Sequence, residues 1–324
     1  MTLPRRGAAT GLPGEFALIA RHFRRLAGPG ALDLQDDAAL LDPPPGRPFP
    51  LDSALRASSF DAAASVFGSV SHWMDSAETA VRVARAATRL PSGSVPPQLA
   101  AQLPAALPLT LAYRGHLREA WATYDSAAFF ILPELALLGA VPPERAAAEM
   151  GAWLTRKSPA RTLLALRWWA DRRDTTTLRK VLERLEAGPR DDAVLTADVT
   201  SVRAHLALAR ADTAAAVRYF GAIADSVCQS NLCYQYRLTK AQLLTAVGRD
   251  REAATLLAQE FPLTTPGRVL WMLERGRVAE RLGDKATAAD AYTFATLAWA
   301  RADPELQPAV AEARAAMRRL AGAG

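Results

Sequence analysis

The chain has 324 residues, half of them hydrophobic and 22% charged, with a formal charge of +6. Such a length serves one large domain or two ordinary ones, and a mean hydropathy of −0.01 argues against a membrane-embedded chain and against wholesale disorder. Alanine is abundant and aromatics are only 7%, which disfavours an all-β fold. Arginine carries nearly all the positive charge, and lysine occurs only at Lys157, Lys180, Lys240 and Lys285. The basic groups (Arg21/Arg24/Arg25, Arg172/Arg173, Arg179/Lys180, Arg318/Arg319) are scattered and no aromatics interleave with them, so they read as solvated faces and not as a nucleic-acid surface.

The N-terminus has two arginines but no apolar run after them, so no signal peptide is read. The longest apolar stretch, 127–141, is shorter than the roughly 20 residues a bilayer needs and contains Pro133 and Glu134. A soluble, cytoplasmic protein without a membrane span is expected. Residues 14–27 predict a short amphipathic helix, with Phe16, Ile19, Phe23 and Leu26 on one side, ended by Gly28-Pro29-Gly30. Residues 31–41 read as a short strand or a loop. Five prolines in 42–50 leave no room for a helix and mark a linker. The chain therefore divides into an N-terminal segment, 1–51, and a helical part, 52–324.

In the second part helices are predicted near 53–68, 75–90, 97–114, 117–127, 143–155, 159–172, 175–187, 192–210, 213–226, 232–247, 250–260, 267–282, 285–301 and 304–319. Asp75 and Glu78 form a capping box. Ser158-Pro159 and Asp303-Pro304 place proline at the first helical position, and Gly248 and Gly283 stand where a left-handed C-terminal residue belongs. Pro308 fits badly inside the last helix, which implies a later start.

A turn residue followed five positions later by a packing residue, and four later by a larger one, recurs along the chain. The sets are Gly115/Ala120/Tyr124, Ala211/Ala216/Phe220, Gly248/Ala253/Leu257 and Gly283/Ala288/Tyr292, with a weaker one at Arg173/Leu178/Leu182. From 173 onward the turns are 38, 37 and 35 residues apart. Antiparallel helices need a tight turn and a small residue for close approach, and a hairpin that cannot bury its apolar face alone stacks on its neighbours.

This pattern resembles the tetratricopeptide repeat family. The likeness is strongest in 273–295, where Gly276, Gly283, Ala288, Tyr292 and Ala295 fall at the family's small and aromatic positions, and in the turn region 111–120. The spacings exceed the family's usual 34, and residues 128–157 interrupt the array. The C-terminal half also resembles, more loosely, helical-repeat regions attached to bacterial serine/threonine protein kinases. The resemblance implies an all-α, tetratricopeptide-like α-solenoid: a right-handed stack of antiparallel helix hairpins over 52–324, preceded by a short N-terminal segment.

Residues 14–41 resemble the start of bacterial thiamine-monophosphate kinases. That likeness implies a magnesium site for ATP at Asp36 and Asp37, since hard cations bound with phosphates take oxygen ligands. The later motifs of that family are absent: residues 52–60 lack its glycine and histidine, and its Asp-x-Ser-Asp-Gly does not occur. An ATP-dependent phosphotransferase is therefore the alternative reading.

Other chemistry is sparse. His22, His72, His116 and His205 lie far apart without metal-ligand spacing, and no phosphate loop, Gly-x-Gly-x-x-Gly or nucleophile elbow occurs. Cys228 and Cys233 are compatible with unpaired thiols, a local disulfide or, least, metal or redox chemistry. Trp168 and Trp169 are adjacent and point about 100° apart on a helix, so at most one is expected to face the core fully. Leu306, Val310, Ala313, Met317 and Leu320 make a stripe that caps the array or pairs with a second helix.

The expected function is non-catalytic binding of a protein or peptide partner along a concave surface, as a scaffold or as a regulatory or sensor module of a bacterial signalling system. The first helices of successive hairpins, 97–114, 159–172, 192–210, 232–247 and 267–282, form that surface. Arg203, Tyr236, Arg237, Lys240 and Arg275 are its candidate groove residues and favour an acidic peptide. No cofactor is expected outside the kinase alternative, which takes magnesium and ATP.

Overall fold

The computed structural model describes residues 81–82, 84–85, 88, 103–155, 159–189, 192–223, 231–259 and 264–322. All of them belong to the second of the two units into which the chain divides, Ser59–Gly324. The readings made for 1–51, for the helix at 53–68, for the Asp75–Glu78 box and for Asp36 and Asp37 lie outside the described residues, as does the pairing of Cys228 with Cys233.

Among the described residues the chain is all-α, with no strand. The helices are α1 (Leu103–Tyr113), α2 (Leu117–Ala122), α3 (Leu132–Leu137), α4 (Pro143–Thr155), α5 (Pro159–Leu164), α6 (Leu166–Asp171) and α7 (Thr175–Glu186). They continue with α8 (Ala193–Ala209), α9 (Thr213–Gly221), α10 (Asn231–Ala246), α11 (Asp250–Leu257), α12 (Pro266–Arg281), α13 (Lys285–Ala298) and α14 (Gln307–Gly322). Short 3-10 turns at Ser126–Ile131 and Pro304–Leu306 precede α3 and α14. The single helix expected over 159–172 breaks at Ala165 (φ −89°, ψ 0°). Pro308 lies in the first turn of α14, where a missing N–H breaks no helical bond, and the 3-10 turn absorbs Pro304.

Among the described residues six have a left-handed backbone: Gly115, Gly139, Arg173, Ala211, Gly248 and Gly283. Each ends a helix in the same way. Its N–H donates to the carbonyl three residues back, and the next residue's N–H donates five back, as in Gly283 to Glu280 and Asp284 to Ala279. That pair of bonds satisfies the helix's last carbonyls and reverses the chain. After three of these turns an aspartate caps the next helix: Asp174 on Thr177 N (2.9 Å), Asp212 on Ala215 N (2.9 Å) and Asp284 on Thr287 N (3.1 Å). Five positions after a turn, Ala120, Leu178, Ala216, Ala253 and Ala288 are fully buried. Four further on, Phe220, Leu257 and Tyr292 are buried too, whereas Tyr124 and Leu182 are half-buried. Close approach is explicit at Gly276, where a Cβ would lie 2.8 Å from the Tyr292 ring.

The stretch that interrupts the spacing, 128–157, contains a turn of the same kind at Gly139. Here Val141 and Pro142 lengthen the connection before α4 begins at Pro143. The buried positions move to Ala146 and Met150, later than the usual fifth and ninth residues after the turn.

The two ends of the described helices meet. Trp299 Nε1 donates to the Tyr113 carbonyl (3.1 Å) across 186 residues. Asp303 N donates to Gly115 O (2.9 Å), Arg118 N donates to the Asp303 carboxylate (2.8 Å), and Arg118 pairs with Glu305 (2.6 Å). A side chain on Gly115 would collide with Ala302, its Cβ being 2.5 Å from that of Ala302. In an open stack each unit touches only its neighbours, whereas one core here runs from Val81 and Leu111 through Trp169 and Leu206 to Val310 and Ala316.

Two expectations change. Trp168 and Trp169 are both buried, because α6 is packed by α3, α7 and α8 on different sides and Arg172 covers the Trp168 ring at 4.5 Å. The stripe on α14 is covered within the chain. Leu306, Val310 and Ala313 are buried, α14 packs on α13, and Arg277–Glu312 (2.7 Å) and Arg319–Glu280 (2.8 Å) flank it.

Candidate functional site

A cleft opens among α3, α6, α10 and α12. Each is the first helix of a pair joined by a left-handed turn. The cleft has a cavity volume of about 210 Å³, smaller than the roughly 300–1,000 Å³ of a typical small-molecule site.

Its apolar lining is Pro133, Leu137 and Leu138 of the α3 segment, Leu238 of α10 and Leu270 of α12. The rest of the lining is polar. Gln235, Thr239 and Gln242 recur at four and three residues on α10, so they share one face. Arg167 and Asp171 of α6 complete it, joined by an i,i+4 ion pair from Arg167 Nε to Asp171 Oδ1 (2.8 Å).

Glu134 fixes the floor. Its carboxylate is buried and accepts from Gly267 N (2.9 Å), Thr265 Oγ1 (3.2 Å) and, at longer range, Gln235 Nε2 (3.4 Å). Thr265 stands at the N-cap of α12 but its own side chain caps nothing. Glu134 supplies that acceptor instead, and so ties α3 to the N-terminus of α12. Burial pushes its pKa up to about 7, and the bonds from Gly267, Thr265 and Gln235 pull against that rise.

A smaller recess shares Arg167 and Gln235 with the cleft and is otherwise lined by Leu163, Asp198, Ser201, His205 and Tyr236. His205 is buried; its Nδ1 lies 2.8 Å from the Ser201 carbonyl and its ring meets Phe220 edge-on at 5.2 Å. Burial lowers its pKa to about 4, so the ring is neutral and its Nδ1–H donates. Ser201 thus meets His205 through its main-chain oxygen, which is no nucleophile–base pair. Burial, and then Asp192, raise the Asp198 pKa to about 6. Among the described residues no group of three His, Cys, Asp or Glu side chains is placed to hold a metal ion.

The five groove residues named from the sequence are spread over three helices. Arg203 is exposed on α8 and paired with Glu186 of α7 (2.7 Å). Tyr236 stacks on Phe220 (6.3 Å between rings) and lines the smaller recess. Arg237 is buried, 5.7 Å over the Tyr234 ring. Lys240 and Arg275 are half-buried on α10 and α12. None of the five lines the larger cleft. Of the helices that line the larger cleft, α6, α10 and α12 coincide to within a residue with predicted first-helix ranges, and α3 was not among them. What the sequence reading missed was Glu134 with the α3 leucines, and the row Gln235–Thr239–Gln242. The available signal was a single carboxyl inside an apolar stretch, because a charge there needs buried partners.

In comparisons with known proteins, no family model matches the chain, no curated protein is similar to it and no solved structure matches it. Among the described residues no helix is long and apolar enough to cross a membrane.

Proposed function

We propose that the chain is a non-catalytic, tetratricopeptide-like binding module that takes a peptide, or an extended segment of a partner protein, in the cleft between α3 and α10. One observation carries this reading: every wall of the cleft comes from the first helix of a turn-joined pair, and the lining combines leucines with hydrogen-bonding side chains. A regulatory or sensor role in a bacterial signalling system is the wider form of the proposal, supported by the looser resemblance of the C-terminal half to kinase-associated helical repeats. No observation among the described residues favours the kinase-type alternative, whose Asp36 and Asp37 lie outside them.

The test is peptide binding by full-length chain on an array of capped octapeptides, repeated with two surface variants. Leu137 is 39% exposed at the cleft and Val247 is 45% exposed at the end of α10, so neither substitution disturbs the core. Leu137→Glu is expected to weaken the bound peptides at least tenfold, and Val247→Glu to leave them unchanged. Equal behaviour of the two variants, or no peptide bound at all, contradicts the proposal.

A further inference from the structure

The polar lining of the cleft holds hydrogen-bonding capacity that the protein does not use. Gln242 is half-buried, lines the cleft and has no side-chain hydrogen bond to another described residue. Gln235 gives one N–H to Glu134 at 3.4 Å and keeps its side-chain carbonyl. Arg167 spends only its Nε, on Asp171, and keeps the N–H groups of both Nη atoms. The polar lining therefore presents both donors and acceptors. A carboxylate or phosphate offers acceptors alone and leaves the glutamine carbonyls unmatched, whereas a peptide main chain offers both kinds.

Charge points the same way. Arg167 is already neutralised by Asp171, and the Glu134 carboxyl is committed to Gly267, Thr265 and Gln235. An anionic ligand meets Asp171, a cationic one meets Arg167, and neither finds an unpaired counter-charge. Length agrees as well. The seven steps from Gln235 to Gln242 rise roughly 10 Å along the helix, about three residues of extended chain. Leu137, Leu138, Leu238 and Leu270 in the same cleft suit aliphatic side chains.

We infer that the cleft holds an uncharged, extended peptide stretch with aliphatic side chains, gripped through its main chain by Gln242, Gln235 and Arg167. The inference rests on the binding role proposed above and replaces the acidic peptide expected from Arg203, Arg237, Lys240 and Arg275, which line no part of the cleft.

Three matched classes of capped octapeptide test it by fluorescence anisotropy on the full-length chain: uncharged aliphatic, Asp/Glu-containing and Lys/Arg-containing. The uncharged class should bind tightest. Gln242→Ala should weaken its best member about two- to tenfold, the range for one neutral hydrogen bond, with an unchanged melting temperature. Gln242→Glu, which removes the donors at constant shape, should weaken it at least as much. Acidic or basic peptides binding more than tenfold tighter than uncharged ones overturns the inference and leaves the binding role standing. Full affinity in both Gln242 variants also overturns it. Absence of binding in all three classes sinks the inference and the binding role together.

Discussion

Glu134 is the residue on which the cleft depends, and its chemistry has a sign that can be measured. Its folded pKa, about 7, lies above the ordinary 4.5. The folded state therefore holds its proton more tightly than the unfolded chain. This contribution to stability is full below pH 4.5 and is lost as pH rises through about 7, a span worth on the order of 3 kcal/mol. His205 works in the opposite sense, because its folded pKa of about 4 lies below 6.5, so its burial favours the fold more as pH rises across that interval. Asp198, raised from 3.8 to about 6, sides with Glu134. The wild-type curve alone mixes all three, whereas a comparison with Glu134→Gln isolates one. Glutamine keeps the shape, accepts from Gly267 N and donates to Thr265 Oγ1. The melting temperature of Glu134→Gln relative to wild type should climb between pH 4.5 and 7 and then level off. A constant offset across that interval would show that Glu134 does not titrate there. Glu134→Leu should lose about 1–3 kcal/mol at any pH, because Gly267 N–H and Thr265 Oγ1 are left buried without an acceptor.

At the level of the elements, the six left-handed turns set where each helix pair reverses. Glycine takes that backbone without strain, but Arg173 (φ 56°) and Ala211 (φ 60°) bear the Cβ clash of about 1–2 kcal/mol. Replacing either by glycine relieves the clash and loosens the unfolded chain by about 0.5–1 kcal/mol. A net gain of up to about 1 kcal/mol is expected in chemical denaturation. Gly276→Ala should lose about 1–3 kcal/mol, since its Cβ would press on the Tyr292 ring. These turns were legible in the sequence because spacing alone marked Gly115, Arg173, Ala211, Gly248 and Gly283, even where the residue was not glycine. Gly139 escaped because Val141 and Pro142 shift the buried Ala146 and Met150 out of phase with the other sets. The tryptophan pair misled for a different reason. A rule for a helix with one buried face does not apply to α6, which is enclosed from several directions. The groove cations misled because helix position says which helix borders a cleft, not which of its faces does. Arg237 points into the core, while Gln235 and Gln242, on the same helix, line the opening.

Across the whole described chain, contacts between residues more than a hundred positions apart decide the architecture, and no local pattern announces them. Glu134 reaches the start of α12, and Trp299, Asp303 and Glu305 hold the α1–α2 turn. The central claim is that the α13–α14 connection closes on the α1–α2 turn, so that these distant segments stabilise each other instead of belonging to an open stack. Trp299→Phe tests this most directly. It keeps most of the ring packing but removes the Nε1–H donor, leaving the buried Tyr113 carbonyl without its partner. Hydrogen exchange of the full-length variant should quicken by about tenfold at the amides of residues 111–118, far from the substitution in sequence. Exchange that quickens only within 285–322, with 111–118 as protected as in wild type, would contradict closure and leave an open array.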